Sequence, residues 1–213
     1  MNKFVIRSIN NVLVVFLFSF LFATEYSYQN NANSKLWLEG DSTMHRFESF
    51  ATALDVQLTI VNVDTNIKLE KKNPISFLKA KAPISLKISM PVNKLISPTL
   101  GLDGNLWGTL KADKYPNIKF ELKDYSVGGT FVSGNETIYK VQTSGLLTIA
   151  GEQKVITMDG ELRADSQSIW IEGKKRILMT DFNIKPPSIL FVVNVNNEID
   201  IFYKLQLDCT SVK

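Results

Sequence analysis

One histidine occurs in the whole chain, His45, with Ser42 three residues and Thr43 two residues before it. A hydroxyl and an imidazole this close suggest a nucleophile and its base. Neighbouring side chains on one short extended segment point alternately to opposite sides, however, so these three do not assemble into a relay. A lone histidine also excludes a multi-histidine metal centre and a two-histidine proton shuttle. What remains for His45 is a ring hydrogen-bonded to its neighbours, or a polar contact to the headgroup of a ligand. The carboxylates are scattered over the polar faces of the pattern described below. Asp181, between Thr180 and Phe182 in an apolar stretch, is expected to cap a turn through backbone N–H groups. Gly101-Leu-Asp-Gly104 lacks the lysine and the flanking strand of a phosphate-binding loop. The single cysteine, Cys209, has no partner for an intramolecular disulfide and reads as a small apolar residue near a strand end. Catalysis and metal or cofactor chemistry are therefore not expected.

The elements that would shape a binding site announce themselves by period-two alternation. Leu54, Val56, Leu58 and Ile60 share one face, with Asp55, Gln57 and Thr59 on the other. Leu86, Ile88 and Met90 repeat this, as do Ile118, Phe120 and Leu122 against Lys119, Glu121 and Lys123. Ile156, Met158 and Leu162 oppose Thr157, Asp159 and Glu161, and Ile199, Ile201, Tyr203, Leu205 and Leu207 close the series. Hairpin breaks are expected at Gly128-Gly129, Ser133-Gly134-Asn135 and Gly151-Glu152, with Gly173 and Asn196-Asn197 separating the last strands. Between Asn93 and Tyr115 the pattern lapses. Ser97-Pro98 could open a short helix and Asn105 to Ala112 form another, ended by Pro116, which predicts a helical insertion at one end of the sheet. About eight mostly antiparallel strands with one wet face can pack as a sandwich or close into a barrel, and periodicity does not choose between them.

With 213 residues, 45% of them hydrophobic, the chain suits one domain with a sizeable core. Its 24 basic residues against 21 acidic ones, with Lys3 and Arg7 in a leader, leave the remainder near neutrality, so no nucleic-acid partner is expected. Residues 1–23 read as a signal peptide: Lys3 and Arg7 are followed by an apolar run from Val12 to Ala23, the length of a secretory h-region and shorter than a bilayer span. No well-formed cleavage site follows it, so an uncleaved anchor is the alternative. A periplasmic or secreted location follows as an expectation.

Four motifs in order then resemble the YceI-like family. They are Trp37-Leu-Glu-Gly40-Asp-Ser42-Thr43-Met-His45, Lys114-Tyr115-Pro116-Asn-Ile118-Lys-Phe120, Gly145-Leu-Leu147-Thr148-Ile149-Ala-Gly151 and Asp181-Phe182-Asn-Ile184-Lys-Pro186-Pro187. Two positions depart from the family pattern: Asn183 stands where the family usually has Gly, and Leu122 where a Ser is common. The resemblance implies an all-β, eight-stranded antiparallel, lipocalin-like barrel over residues 35–213 with a short helical insertion. It further implies an elongated apolar interior that binds a polyisoprenoid or similar amphiphilic lipid. In such a barrel the inward candidates are Leu58, Ile88, Met90, Phe120, Met158 and Tyr203, with Trp107 of the insertion as a lid and His45 as a headgroup contact. The same apolar positions would also suit a plain packed core, the mark of a β-sandwich interaction module without ligand. Beyond the lipid, transient membrane contact and a homodimer are left open.

Overall fold

The computed structural model describes residues 24–62, 74–189 and 193–212, and the predicted signal segment lies outside them. In chain order the strands and helices are β1 (Thr24–Asn30), β2 (Lys35–Ser42), β3 (Arg46–Ala51), β4 (Asp55–Asn62), α1 (Pro74–Lys79), β5 (Ile84–Pro91), β6 (Leu95–Ile96), α2 (Leu102–Thr109), β7 (Asn117–Ser133), β8 (Glu136–Ile149), β9 (Glu152–Ala164), β10 (Ser168–Leu178), β11 (Ser188–Ile189) and β12 (Val193–Val212). Single 3₁₀ turns cover Val92–Lys94 and Met179–Phe182.

Eleven of these segments make eight strands, because three strands are broken midway. Both β1 and β2 run antiparallel to β12, one against each half of it, and together act as one interrupted strand. Their neighbours are β4 and β3, which in turn meet β5 and β6. From β5 the ladder passes to β7, β8, β9, β10 and β12, and β12 returns to β1. Every strand thus lies beside its sequence neighbour, and the result is a closed up-and-down antiparallel barrel. Closure sets aside the sandwich. Side chains restore the ladder at the breaks: the Asn30 carboxamide donates to the Leu54 carbonyl at 3.0 Å and accepts from the Val56 N–H at 2.8 Å. Ser34 Oγ bonds both the carbonyl and the N–H of Gln206 at 3.0 Å.

The turns at Gly134 and at Ala150-Gly151 join β7 to β8 and β8 to β9 as the sequence predicts. Three other predicted breaks lie inside strands. Gly128-Gly129 is a bulge in β7, where the register with β8 shifts between Val127 and Thr130. Asn196-Asn197 falls within a second irregularity, between Val195 and Ile199 of β12. Gly173 sits in mid-strand on β10, paired with Tyr203 on one side and Gly160 on the other. Glycine and asparagine mark bulges and close approaches as well as turns, and the long strands absorb them.

The insertion between β6 and β7 holds one α-helix, α2, rather than two, and Ser97-Pro98 forms the bend before it. The short α1 was not predicted. Its Ile75, Phe77 and Leu78 are buried against Tyr26, Val56 and Ile60, with the Phe77 ring 5.1 Å from that of Tyr26. By connectivity α1 stands at the barrel end that holds the β7–β8 and β9–β10 turns, and α2 at the opposite end, with the β2–β3 and β8–β9 turns.

Candidate functional site: an apolar cavity inside the barrel

The inward faces of the strands form two apolar clusters. One gathers around α1 and includes Tyr28, Leu58, Leu162 and Leu205. The other lies toward α2 and includes Phe47, Met90, Phe120, Leu147, Met179 and Phe182. Between and along them runs a cavity whose lining reaches from Leu78 of α1 to Leu102, Asn105, Leu106 and Thr109 of α2. The space open to the centres of water-sized bodies measures about 230 Å³. A single water needs only about 10–15 Å³ by that measure, so the barrel is hollow. Asn105 is exposed, and with it the lining comes to the surface beside α2.

Six sequence-predicted residues lie on this wall: Leu58 on β4, Ile88 and Met90 on β5, Phe120 on β7, Met158 on β9 and Tyr203 on β12. Trp107 is half-buried in α2 and does not line the cavity. Its indole Nε1 donates to the Leu95 carbonyl at 2.9 Å and ties α2 to β6. His45 is exposed in the β2–β3 hairpin and away from the cavity wall. Ser42 Oγ donates to the His45 carbonyl at 2.8 Å and accepts from the His45 N–H at 3.2 Å, so the hydroxyl serves the turn and not the imidazole.

Glycines let large rings approach the backbone closely. A Cβ on Gly145 would fall 2.2 Å from Phe120 Cζ, and one on Gly151 would fall 2.4 Å from Tyr115 Cζ. The second and third sequence motifs therefore meet in space, ring against glycine. Tyr203 spans two such sites, Gly173 and Gly160, and its hydroxyl donates to the Asp159 carbonyl at 3.2 Å. That bond sits where the β9–β10 ladder ends, at the Gly160–Gly173 pair. Burial, with the charge of Asp159 adding to it, pushes the Tyr203 phenol up to about 12, which keeps it a donor at physiological pH.

The fourth motif shapes the rim. Asp181 is exposed and makes no hydrogen bond among the described residues, contrary to its expected capping role. Asn197 does that work instead: Thr180 N–H donates to Asn197 Oδ1 at 3.0 Å, and Asn197 Nδ2 donates to Thr180 Oγ1 at 2.9 Å. The bulge in β12 brings that carboxamide within reach. Asn183 has φ of 52°, the left-handed region that glycine occupies most easily and asparagine next, so the departure from the family's Gly is conformationally conservative. Leu122 joins the cavity lining and adds to its apolar character.

Sequence reasoning missed one wall residue of a different kind. Lys175 faces the cavity from β10, half-buried, between inward Gly173 and Ile177. The alternation Ile171, Gly173, Lys175, Ile177 carries that signal, but a charged residue on an apolar face breaks the pattern used to find strands. Among the described residues no group of three His, Cys, Asp or Glu side chains could hold a metal ion.

A closed eight-stranded antiparallel meander around an apolar hollow defines a lipocalin-like binding barrel. The YceI-like domain matches residues 30–207, and the chain belongs to the YceI-like family. Its fold is similar to that of Burkholderia cenocepacia BcnA, at 19% identity and a TM-score of 0.59, covering 82% of this chain and 96% of that one. It is also similar to a polyisoprenoid binding domain from Saccharophagus degradans implicated in plant cell wall breakdown, at 12% identity and a TM-score of 0.61, covering 86% and 98%. No curated protein sequence matches the chain.

Proposed function

We propose that this protein is an exported lipid carrier, periplasmic or secreted, that shelters a polyisoprenoid or a similar amphiphilic chain inside its barrel. The observation that carries the reading is the hollow itself: a wall of Leu, Ile, Met and Phe side chains enclosing about 230 Å³ and reaching the surface beside α2. Each methylene moved from water into such a space contributes roughly 0.8 kcal/mol, so a dozen offer about 10 kcal/mol before ordering and association are subtracted. Leu58, Ile88, Met90, Phe120, Met158 and Tyr203 would contact the chain, and α2, held by Trp107, would cover it. The Saccharophagus domain, a polyisoprenoid binder by description, supports the ligand class, and the leader-like residues 1–23 support export. Exposed Met44 and Leu100, in the two loops at the α2 end, suit brief contact with a membrane from which cargo is drawn. Binding rather than catalysis fits a wall that carries no acid, histidine or cysteine among the described residues.

Purification from the native host, organic extraction and mass spectrometry test this. An isoprenoid or other long-chain lipid in stoichiometric amount is expected. A clean extract, together with failure of the delipidated protein to take up prenyl lipids, overturns the reading.

A further inference from the structure

The cations of β10 divide between its two faces. Lys174 and Arg176 point outward and are paired: Lys174 Nζ lies 2.8 Å from Asp200, and Arg176 lies 2.8 Å from Asp200 and 3.0 Å from Glu198. Lys175, between them, turns inward opposite Ile201 of β12 and lines the cavity. Among the described residues it has no ion pair and no hydrogen bond, and no carboxylate lines the cavity to balance it. The other lysine touching the lining, Lys119, is exposed and alternates outward between Ile118 and Phe120. An ammonium facing an apolar wall is unfavourable unless a counter-charge joins it, and lysines are rarely drawn inside without one.

We propose that Lys175 is the anchor for an anionic headgroup, so that the cargo is an acidic amphiphile bearing a phosphate or carboxylate and not a neutral lipid. This rests on the lipid-carrier reading and adds the charge of the ligand to it. The position suits the role. Lys175 is four residues from Met179, about 13 Å along the strand from the rim at the α2 end, which leaves the rest of the barrel for the apolar tail. Beside it the β9–β10 ladder has ended, and 152–159 and 174–178 are not paired with each other. Every second backbone N–H of that part of β10 points toward β9, where it can donate to the remaining oxygens of a headgroup.

The test is calorimetric titration of the delipidated full chain with farnesyl phosphate, farnesol, palmitate and inorganic phosphate, repeated with Lys175→Met and Lys175→Arg. The wild type is expected to bind farnesyl phosphate or palmitate at least tenfold tighter than farnesol and to ignore inorganic phosphate. Lys175→Met should erase that preference, and Lys175→Arg should keep it. Whichever acidic probe binds tighter tells a prenyl phosphate from a fatty acid. Farnesol binding as tightly as its phosphate overturns the anchor while the carrier reading stands. A preference for acidic probes that survives in Lys175→Met overturns it too, and failure of all three lipids to bind removes both.

Discussion

Replacing Met158 by Trp tests whether a lipid chain runs through the middle of the barrel. Met158 lies at mid-height on β9, opposite Thr143 of β8, with its side chain on the cavity wall. An indole there would occupy space otherwise open to ligand, within a hollow of only about 230 Å³. If it displaces three methylenes of the chain, the loss is about 2.4 kcal/mol, or roughly 50-fold in affinity. Stability supplies the control. A larger side chain forced into a filled core costs about 1–3 kcal/mol, whereas one that enters empty space costs little. Displacement of a fluorescent prenyl probe reads the affinity, and urea denaturation of the lipid-free protein reads the stability. Weakened binding with an almost unchanged midpoint is expected. Unchanged affinity would show that cargo does not pass this level, and a collapse in stability would show that the space is already occupied by protein.

Three further outcomes follow from the geometry. Gly145→Val places a Cβ 2.2 Å from Phe120 Cζ and 2.7 Å from the Glu121 carbonyl, so a loss of about 1–3 kcal/mol is expected in urea denaturation. Asn183→Val should destabilise by about 1–2 kcal/mol because φ is 52° there, while Asn183→Gly should stay within a few tenths; equal effects would refute the left-handed assignment. Hydrogen bonds from Arg176 first, and then Lys174, hold the Asp200 carboxyl well below the usual carboxylate range against the opposing effect of burial. A depressed folded value means that the ion-pair contribution is complete above about pH 4 and is lost as pH falls through the folded value. Asp200→Asn should therefore lower stability at pH 7 and flatten its decline in acid, as followed by thermal melts between pH 2 and pH 7.

The strands were legible because they alternate: β4, β5, β7, β9 and β12 were each marked by inward apolar residues that the structure turns toward the core, whereas closure into a barrel came from the family resemblance and not from the alternation. What misled was punctuation. Gly173, Gly128-Gly129 and Asn196-Asn197 look like turns in one dimension, yet they are a site of close approach by Tyr203 and two bulges, and only the cross-strand partner reveals which. The breaks after β1 and β3 escaped notice for the converse reason, since Asn30 and Ser34 carry the ladder across with side-chain atoms. The short α1 has too few residues for a helical period to show. The cavity wall was legible in its apolar members and illegible at Lys175, whose charge argued for the surface until the register with Ile201 placed it inside.

Among the described residues, Ile75, Phe77 and Leu78 stopper the α1 end of the barrel. Under the carrier reading, a lipid would then leave by the doorway it came through, tail foremost on the way in and last on the way out. Donor and acceptor would then have to take turns at one face, and a hand-over becomes a matter of which of them is standing there.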